Sequence, residues 1–545
     1  MFKHFSLLPG DEDIMGWNGD PWTVQASAMA PIYVPPPDNF TGTSGDDHYR
    51  GTLGNDTFDM SQGGDDVVKA DAGGDYIYFA AAFTAADKID GGADPDELVL
   101  GGDYSSQVVF GKATMTNVED LELYGSEFGG GSYNFVLNDS CVAKGSYLRI
   151  HLNDSNQEPD FLNLDASAET NGDIFVQTAG KASDRIFGGG GNDFINGGRI
   201  INDTLGGGGG FDIVSFATAG QLVNVSLLLQ GAAQDIGGGH FVTLSNFEGL
   251  TGSAGSGTDT LIGDDNANWI RTNGGNDNVQ GNGGGDLILV DDFTAYTAVT
   301  VDGGSGSDTL SFWRSQVSGV TFSLALQGTA QATGEGGTVT ATGFENLVGT
   351  DLFDDTLTGD AAKNKIFGGG GNDTLSGGDG NDTLYGDAIY GPKYTDTQDI
   401  GMSGFTVLLS GNGNDVLDGG AGKDKLIGRG GADSLTGGSG ADKFIYDSVT
   451  DTLPGAGNRD IITDFSHAER DRIDLHAIDA DITQSGDQAF HLGGNSFTGS
   501  PGELIQFLDG SGNTIVAGDV NGDGVADFEI QVAHAPTLVA GDFVL

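Results

Sequence analysis

The stretch Gly-Asn-Gly-Asn-Asp-Val-Leu-Asp-Gly-Gly-Ala-Gly-Lys-Asp-Lys-Leu-Ile-Gly, from Gly411 to Gly428, holds one nine-residue unit twice. The unit reads G-G-x-G-x-D-x-U-x, where U is a large apolar residue. Asp415, Asp424, Asp433 and Asp442 follow one another at intervals of nine, and Leu417, Leu426, Leu435 and Phe444 keep the same phase. A flexible Gly/Asp/Asn linker has no reason to keep an apolar residue at every ninth position. The unit divides into a six-residue turn and a three-residue strand.

The same phase recurs upstream. A first cassette carries Asp47, Asp56 and Asp65, with Tyr49, Phe58 and Val67 two residues on, and slips by one residue to Asp75 and Ile77. A second runs through Asp184, Asp193, Asp203 and Asp212, with a slip at Arg199-Ile200-Ile201. A third has Asp259, Asn268, Asp277 and Asp286, and a fourth has Asp355, Asn364, Asp373 and Asp382. An isolated unit, Gly303 to Leu310, contributes Asp308. The spacers repeat as well. Residues 212–277 resemble 308–373, aligning Val223-Asn-Val-Ser226 with Val320-Thr-Phe-Ser323 and Asn246-Phe-Glu-Gly-Leu250 with Gly343-Phe-Glu-Asn-Leu347. A diverged third copy is Thr116-Asn-Val-Glu-Asp-Leu121. These segments are short, alternating and broken by glycine, which predicts strands and no long helix.

Glycine tolerates positive φ and close backbone approach, so a glycine-rich turn can aim carbonyl oxygens inward. The aspartate adds a carboxylate. That set suits calcium, a hard cation that takes six to eight oxygens. One turn cannot surround the ion. Asn268 and Asn364 replace the carboxylate with a neutral amide, which weakens those sites or leaves them empty. Each unit offers one main apolar side chain, and stacked carboxylates repel. A cation that removes the repulsion and binds only the folded arrangement therefore adds its binding energy to folding.

Acidic residues number 79 against 22 basic ones, a formal charge of −57. This argues against nucleic acid or an anionic membrane as partner. Glycine accounts for 96 residues without a G-X-Y period, which excludes collagen. The single cysteine, Cys141, excludes an internal disulfide framework and reads as a small buried hydrophobe. The N-terminal MFKHFSLLPGDEDIMGW has only a short apolar patch, Phe5 to Leu8, and does not read as a secretory h-region. No stretch approaches the roughly 18 apolar residues of a membrane-spanning helix.

The nonapeptide resembles the calcium-binding repeat of RTX (hemolysin-type) proteins. That resemblance implies a right-handed parallel β-roll in which two turns complete one coil, so that turns 18 residues apart share an ion. It pairs Asp415 with Asp433, Asp424 with Asp442, Asp355 with Asp373, and Asp193 with Asp212 across the slip. Beyond the last unit, Phe444-Ile-Tyr446, Asp460-Ile-Ile-Thr-Asp-Phe465, Asp471-Arg-Ile-Asp-Leu475 and Gly518-Asp-Val-Asn-Gly-Asp-Gly-Val-Ala-Asp-Phe528 resemble the C-terminal domain of serralysin-type metalloproteases. In that family the extreme C-terminus directs export through a type I ABC exporter, and Asp542-Phe-Val-Leu545 looks like such a signal. Within this region Asp519, Asn521, Asp523 and Asp527 have the D-x-N-x-D-G spacing of an EF-hand loop, but Ile530 stands where the bidentate glutamate belongs. A calcium site and a plain β-turn both remain open there.

A zinc protease needs H-E-x-x-H, and none of His4, His48, His151, His240, His467, His476, His491 and His534 is followed by Glu. G-x-S-x-G and the phosphate-cradling G-x-x-x-x-G-K-[ST] are also missing. The chain thus reads as all-β, with several parallel β-roll cassettes separated by β-rich spacers. Its expected order is an exposed arm (1–40), a first cassette (41–104), a spacer (105–180), cassettes two and three (181–292), a duplicated spacer with cassette four (293–388), a linker with cassette five (389–446), and a serralysin-like C-terminal domain (447–545). The expected function is that of a secreted, extracellular protein that folds on multiple calcium ions. Its role is that of a non-catalytic scaffold, surface-layer or adhesive element, engaged with copies of itself or with cell-surface polysaccharide. The alternative is an extracellular hydrolase with its site in 105–180 or the spacers, where paired carboxylates leave no trace among so many acids.

Overall fold

The computed structural model describes residues 38–124, 131–153, 161–178, 182–197, 202–219, 222–291, 297–313, 318–334, 336–387, 412–535 and 537–545. The arm expected at 1–40 lies outside them up to residue 37, and its last two residues already belong to the first strand, Asn39–Thr41.

A nine-residue unit leaves room for only a short strand, and the strands are short. Thr356–Thr358, Lys425–Ile427 and Ser434–Thr436 have three residues each, and the middle one (Leu357, Leu426, Leu435) is fully buried. Each strand pairs in parallel with the one a coil later. Thr356 lies opposite Thr374, and Val416 opposite Ser434. Two units therefore complete one coil. The inward residues form two apolar columns. Leu347, Ile366, Leu384, Leu426, Phe444 and Ile473 come from one wall, and Leu357, Leu375, Leu417, Leu435 and Ile462 from the other, all within one core. Each fully buried side chain of this kind contributes about 1.5–3 kcal/mol.

Cassettes and spacers are coils of one stack. A single parallel sheet of 20 strands runs from Asn39–Thr41 to Phe543–Val544 without interruption. The 105–180 spacer supplies Asp120–Tyr124, Tyr147–Asn153 and Asp173–Thr178 to it. Register also survives the 388–411 segment, because Thr374–Gly380 pairs directly with Val416–Gly422. The opposite wall is laid down in separate sheets of 4, 7, 6 and 11 strands, so the longer insertions interrupt one wall only.

The internal duplication is visible atom by atom. Gln230 accepts the Phe247 N–H and donates to the Phe247 carbonyl, and Gln327 does the same with Phe344. Gln234 and Gln331 clamp Ser226 and Ser323 in the same way. Each copy carries a 3-10 turn, Leu227–Leu229 or Leu324–Leu326, and a small antiparallel ribbon. No α-helix occurs among the described residues. The far end closes with an antiparallel trio, Glu503–Leu508, Thr514–Asp519 and Phe528–Val532, joined to one wall through Asp460–Ile462. Phe543–Val544 joins the other wall beside Arg472–Asp474.

Candidate metal centres

Every unit brings its aspartate to the corner where turn becomes strand, and there the aspartates form ladders. The backbone N–H of one donates to Oδ1 of its counterpart a coil later. On one side the rungs are Asp355 to Asp373 (2.8 Å), Asp373 to Asp415 (2.7 Å), Asp415 to Asp433 (2.8 Å) and Asp433 to Asp460 (2.9 Å). On the other they are Asn364 to Asp382 (2.8 Å), Asp382 to Asp424 (2.7 Å), Asp424 to Asp442 (2.9 Å) and Asp442 to Asp471 (3.0 Å). Upstream, Asp56 donates to Asp75, Asp184 to Asp203, Asp193 to Asp212, Asp259 to Asp277, Asn268 to Asp286, and Asp286 to Asp308.

Asp65 is not a rung. The turn there is one residue longer, so Asp47 donates to Asp66 and Asp66 to Asp87, and Val68 rather than Val67 faces the core. The N–H of Asp65 goes to Asp46 instead. Asp66, Asp87, Asp96, Asp460 and Asp471 complete ladders that the nine-residue count misses, since longer units break the phase. Three glutamates also serve as rungs. Glu119, Glu248 and Glu345 accept the N–H of Asp96, Asp212 and Asp308. The signal was present, because each stands two residues before an inward leucine (Leu121, Leu250, Leu347), as the aspartates do.

The second carboxylate oxygen divides the turns into two classes. In one, a backbone N–H within the same turn caps it. Thr43 and Thr52 cap Asp47 and Asp56, Thr84 caps Asp87, Gly189 caps Asp193, Ser253 caps Asp259, Thr350 caps Asp355, and Ser466 caps Asp471. Asn268 and Asn364 belong here too. Each amide oxygen accepts the N–H of Asp264 or Asp360, and each amide nitrogen donates to the carbonyl of Glu248 or Glu345. In the other class Oδ2 is buried with no hydrogen-bond partner. These include Asp66, Asp75, Asp96, Asp212, Asp277, Asp286, Asp308, Asp373, Asp382, Asp415, Asp424, Asp433, Asp442 and Asp460. In Asp75, Asp96, Asp212, Asp277, Asp286, Asp308, Asp373, Asp382, Asp424, Asp433 and Asp442 the residue four positions earlier has positive φ, from +62° at Asn273 to +124° at Gly208, whereas Gln62 before Asp66 and Ala456 before Asp460 do not. The capping residues Thr43, Thr52, Gly189, Asp264 and Asp360, four positions before their carboxylate or amide, do not.

Buried polar atoms are ordinarily paired, so these oxygens call for a donor or a cation. Glycine at the start of the turn makes the space. A Cβ on Gly368 would lie 2.3 Å from Asp373 Oδ2 and 2.5 Å from the Gly386 carbonyl oxygen of the next coil. On Gly281 it would lie 2.1 Å from Asp286 Oδ2 and 2.3 Å from the Gly303 carbonyl. Carboxylate and carbonyl oxygens thus crowd the same glycine between coils, leaving no room for a side chain, and they do so at the capped turns as well, as at Gly188 and Gly349. Among the described residues no three Asp, Glu, His or Cys side chains converge on a point. A cation here would therefore be held by main-chain carbonyls with one carboxylate per turn, an all-oxygen set of the kind calcium prefers. The electrostatics agree. Burial pushes Asp373 up to about 7, Asp212 to about 8 and Asp415 to about 9, and neighbouring carboxylates push the same way against the N–H bond to Oδ1.

A model of the RTX calcium-binding nonapeptide repeat, in four copies, matches residues 38–59, 61–81, 178–199, 253–288, 350–388 and 401–453. These cassettes are RTX calcium-binding repeats. Their cation is calcium, and the open RTX turns fit it. No curated protein matches the chain. Among solved structures, the AlgE6R3 subunit from the Azotobacter vinelandii mannuronan C5-epimerase is similar over 35% of this chain and 77% of that one, at 26% identity and a TM-score of 0.21.

Outside the RTX turns, the Asp519–Asp527 loop closes on itself. Both oxygens of Asp519 accept backbone N–H groups from Gly522 and Gly524, and Asp527 accepts from Val520 and Asn521. The loop joins two antiparallel strands. The described residues of 105–180 form solenoid coils whose interior is aromatic and apolar, with Phe110, Tyr133, Phe135 and Cys141 buried. His467 pairs at 2.5 Å with the buried Asp542, and His476 at 2.6 Å with Asp474, so both histidines tie the C-terminal end together. Among the described residues no helix is long and apolar enough to cross a membrane, which says nothing of β-barrel spans.

Proposed function

We propose that this calcium-binding repeat protein leaves the cell unfolded through a type I ABC exporter, and that extracellular calcium then closes its solenoid. The observation behind this reading is the run of buried carboxylate oxygens without donors, because a chain of charge −57 that stacks them has no means of neutralising them from within. At low cytosolic calcium the chain stays open enough to thread an exporter. At high extracellular calcium, binding energy becomes folding energy. Asp542-Phe-Val-Leu545 serves as the export signal before folding and as the last strand afterwards. Outside, the stack acts as a non-catalytic scaffold, surface-layer or adhesive element that meets copies of itself or cell-surface polysaccharide. Long parallel ladders suit edge-to-edge assembly.

Circular dichroism of the full chain during a calcium titration tests the folding step. The expected result is little β signal in chelator and a cooperative gain with calcium. A complete β signal in excess chelator at neutral pH refutes it. Deleting residues 542–545 should abolish secretion by cells that carry the exporter, and unchanged secretion removes the export half of the reading.

A further inference from the structure

We propose that calcium sits only in the open turns, and that the N–H-capped turns are metal-independent joints that flank the calcium-loaded runs. This rests on the RTX repeats binding calcium and goes beyond it by assigning which turns do so.

The argument starts from the peptide plane. The N–H and C=O of one peptide point opposite ways. Where the residue four before the aspartate has ordinary φ, as at Thr52, its N–H reaches the carboxylate at 2.6 Å. Where φ is positive, as at Gly420 (+96°), the plane is turned over and withholds that N–H. With that N–H withheld, Asp424 Oδ2 is left beside the Gly437 carbonyl oxygen of the next coil, both crowding Gly419, so a carboxylate without a donor faces an acceptor and needs a cation.

A second, independent feature follows the same division. The two ladder positions that carry asparagine, Asn268 and Asn364, both fall in capped turns, and every open turn carries aspartate. An amide suffices where the backbone already supplies the proton, and a full negative charge is kept where it does not.

The order along the chain gives the classes a purpose. After each duplicated spacer come two capped positions, Asp259 with Asn268 and then Asp355 with Asn364. Only then do the open turns follow. A coil closed by its own N–H groups needs no ion, so it offers a finished edge on which the first calcium-bound coil can form. This matters because starting a coil carries the ordering cost before any stacking repays it.

The test is a crystal of the full calcium-loaded chain examined by anomalous scattering at long wavelength. Peaks are expected between coils beside open aspartates such as Asp373 and Asp424, and none beside Asp56, Asp193, Asp259 or Asp355. Equal peaks beside the capped carboxylates overturn the proposal. A chain that takes up no calcium in equilibrium dialysis refutes the calcium reading itself, which is a distinct outcome. In solution, D424N should lower the number of ions bound at saturating calcium. D355N should leave that number unchanged, because an amide oxygen accepts the same cap, as at Asn268 and Asn364. An equal loss in both variants also overturns the assignment, and should D355N not fold, the anomalous map decides alone.

Discussion

Raising the pH of the metal-free protein should unfold it. The carboxylates behind this are those ladder aspartates whose second oxygen is buried without a donor. Burial pushes Asp373 from its ordinary 3.8 up to about 7, Asp277 and Asp286 to about 7, and Asp415 to about 9. An aspartate whose folded value lies above its unfolded one keeps its proton in the fold and sheds it on unfolding. Between those two values the unfolded state binds fewer protons, so stability falls as pH rises. The window opens near 4 and extends to about 7 for Asp373 and about 9 for Asp415. At about 1.4 kcal/mol per pKa unit, moving Asp373 from 3.8 to about 7 costs the metal-free fold on the order of 4 kcal/mol above that window. A few such groups together match the roughly 5–15 kcal/mol that holds a typical domain. Calcium reverses the sign. It occupies the place of the protons, so its binding releases protons and its apparent affinity rises with pH. Thermal melts by circular dichroism, on exhaustively dialysed protein from about pH 5 to about pH 9, should show a falling melting temperature. The fall should vanish at saturating calcium. Calorimetry in buffers of different ionisation heat should show proton release near pH 6. A melting temperature that stays level or climbs across the window, without calcium, would refute the reasoning.

Two substitutions probe the scaffold. Gly420→Ala forces a side chain onto a residue at φ +96°, with the new Cβ 2.0 Å from the Gly378 carbonyl oxygen. It should cost at least about 1–3 kcal/mol in calcium-loaded melts, whereas Gly457→Ala, with open space around it, should be near neutral; similar effects would show that stacking does not require the glycine. Gln327→Ala strips both hydrogen bonds from the Phe344 backbone and should cost about 1–3 kcal/mol. Gln230→Ala should match it, because the same clamp recurs at Phe247, and a clear disagreement between the two would mean the copies no longer share one structural role.

The chain's own text determined the unit, the single inward residue per strand, the glycine-lined turn and the cation. All of these are local: a nine-residue period, a side chain, a permitted φ and a donor type can be read without knowing what lies alongside. Even the glutamate rungs were legible, since Glu248 and Glu345 stand two residues before Leu250 and Leu347 as each aspartate does before its own apolar partner. Tertiary structure decided what depends on the neighbouring coil. It chose Asp66 over Asp65 because an extra residue shifts which side chain meets the N–H of Asp47. It ran one sheet of 20 strands through cassettes and spacers, because backbone pairing requires only register and ignores the repeat consensus. It also sorted the carboxylates into capped and open, since that depends on the orientation of one peptide plane within the turn, and a letter in the sequence does not carry that angle.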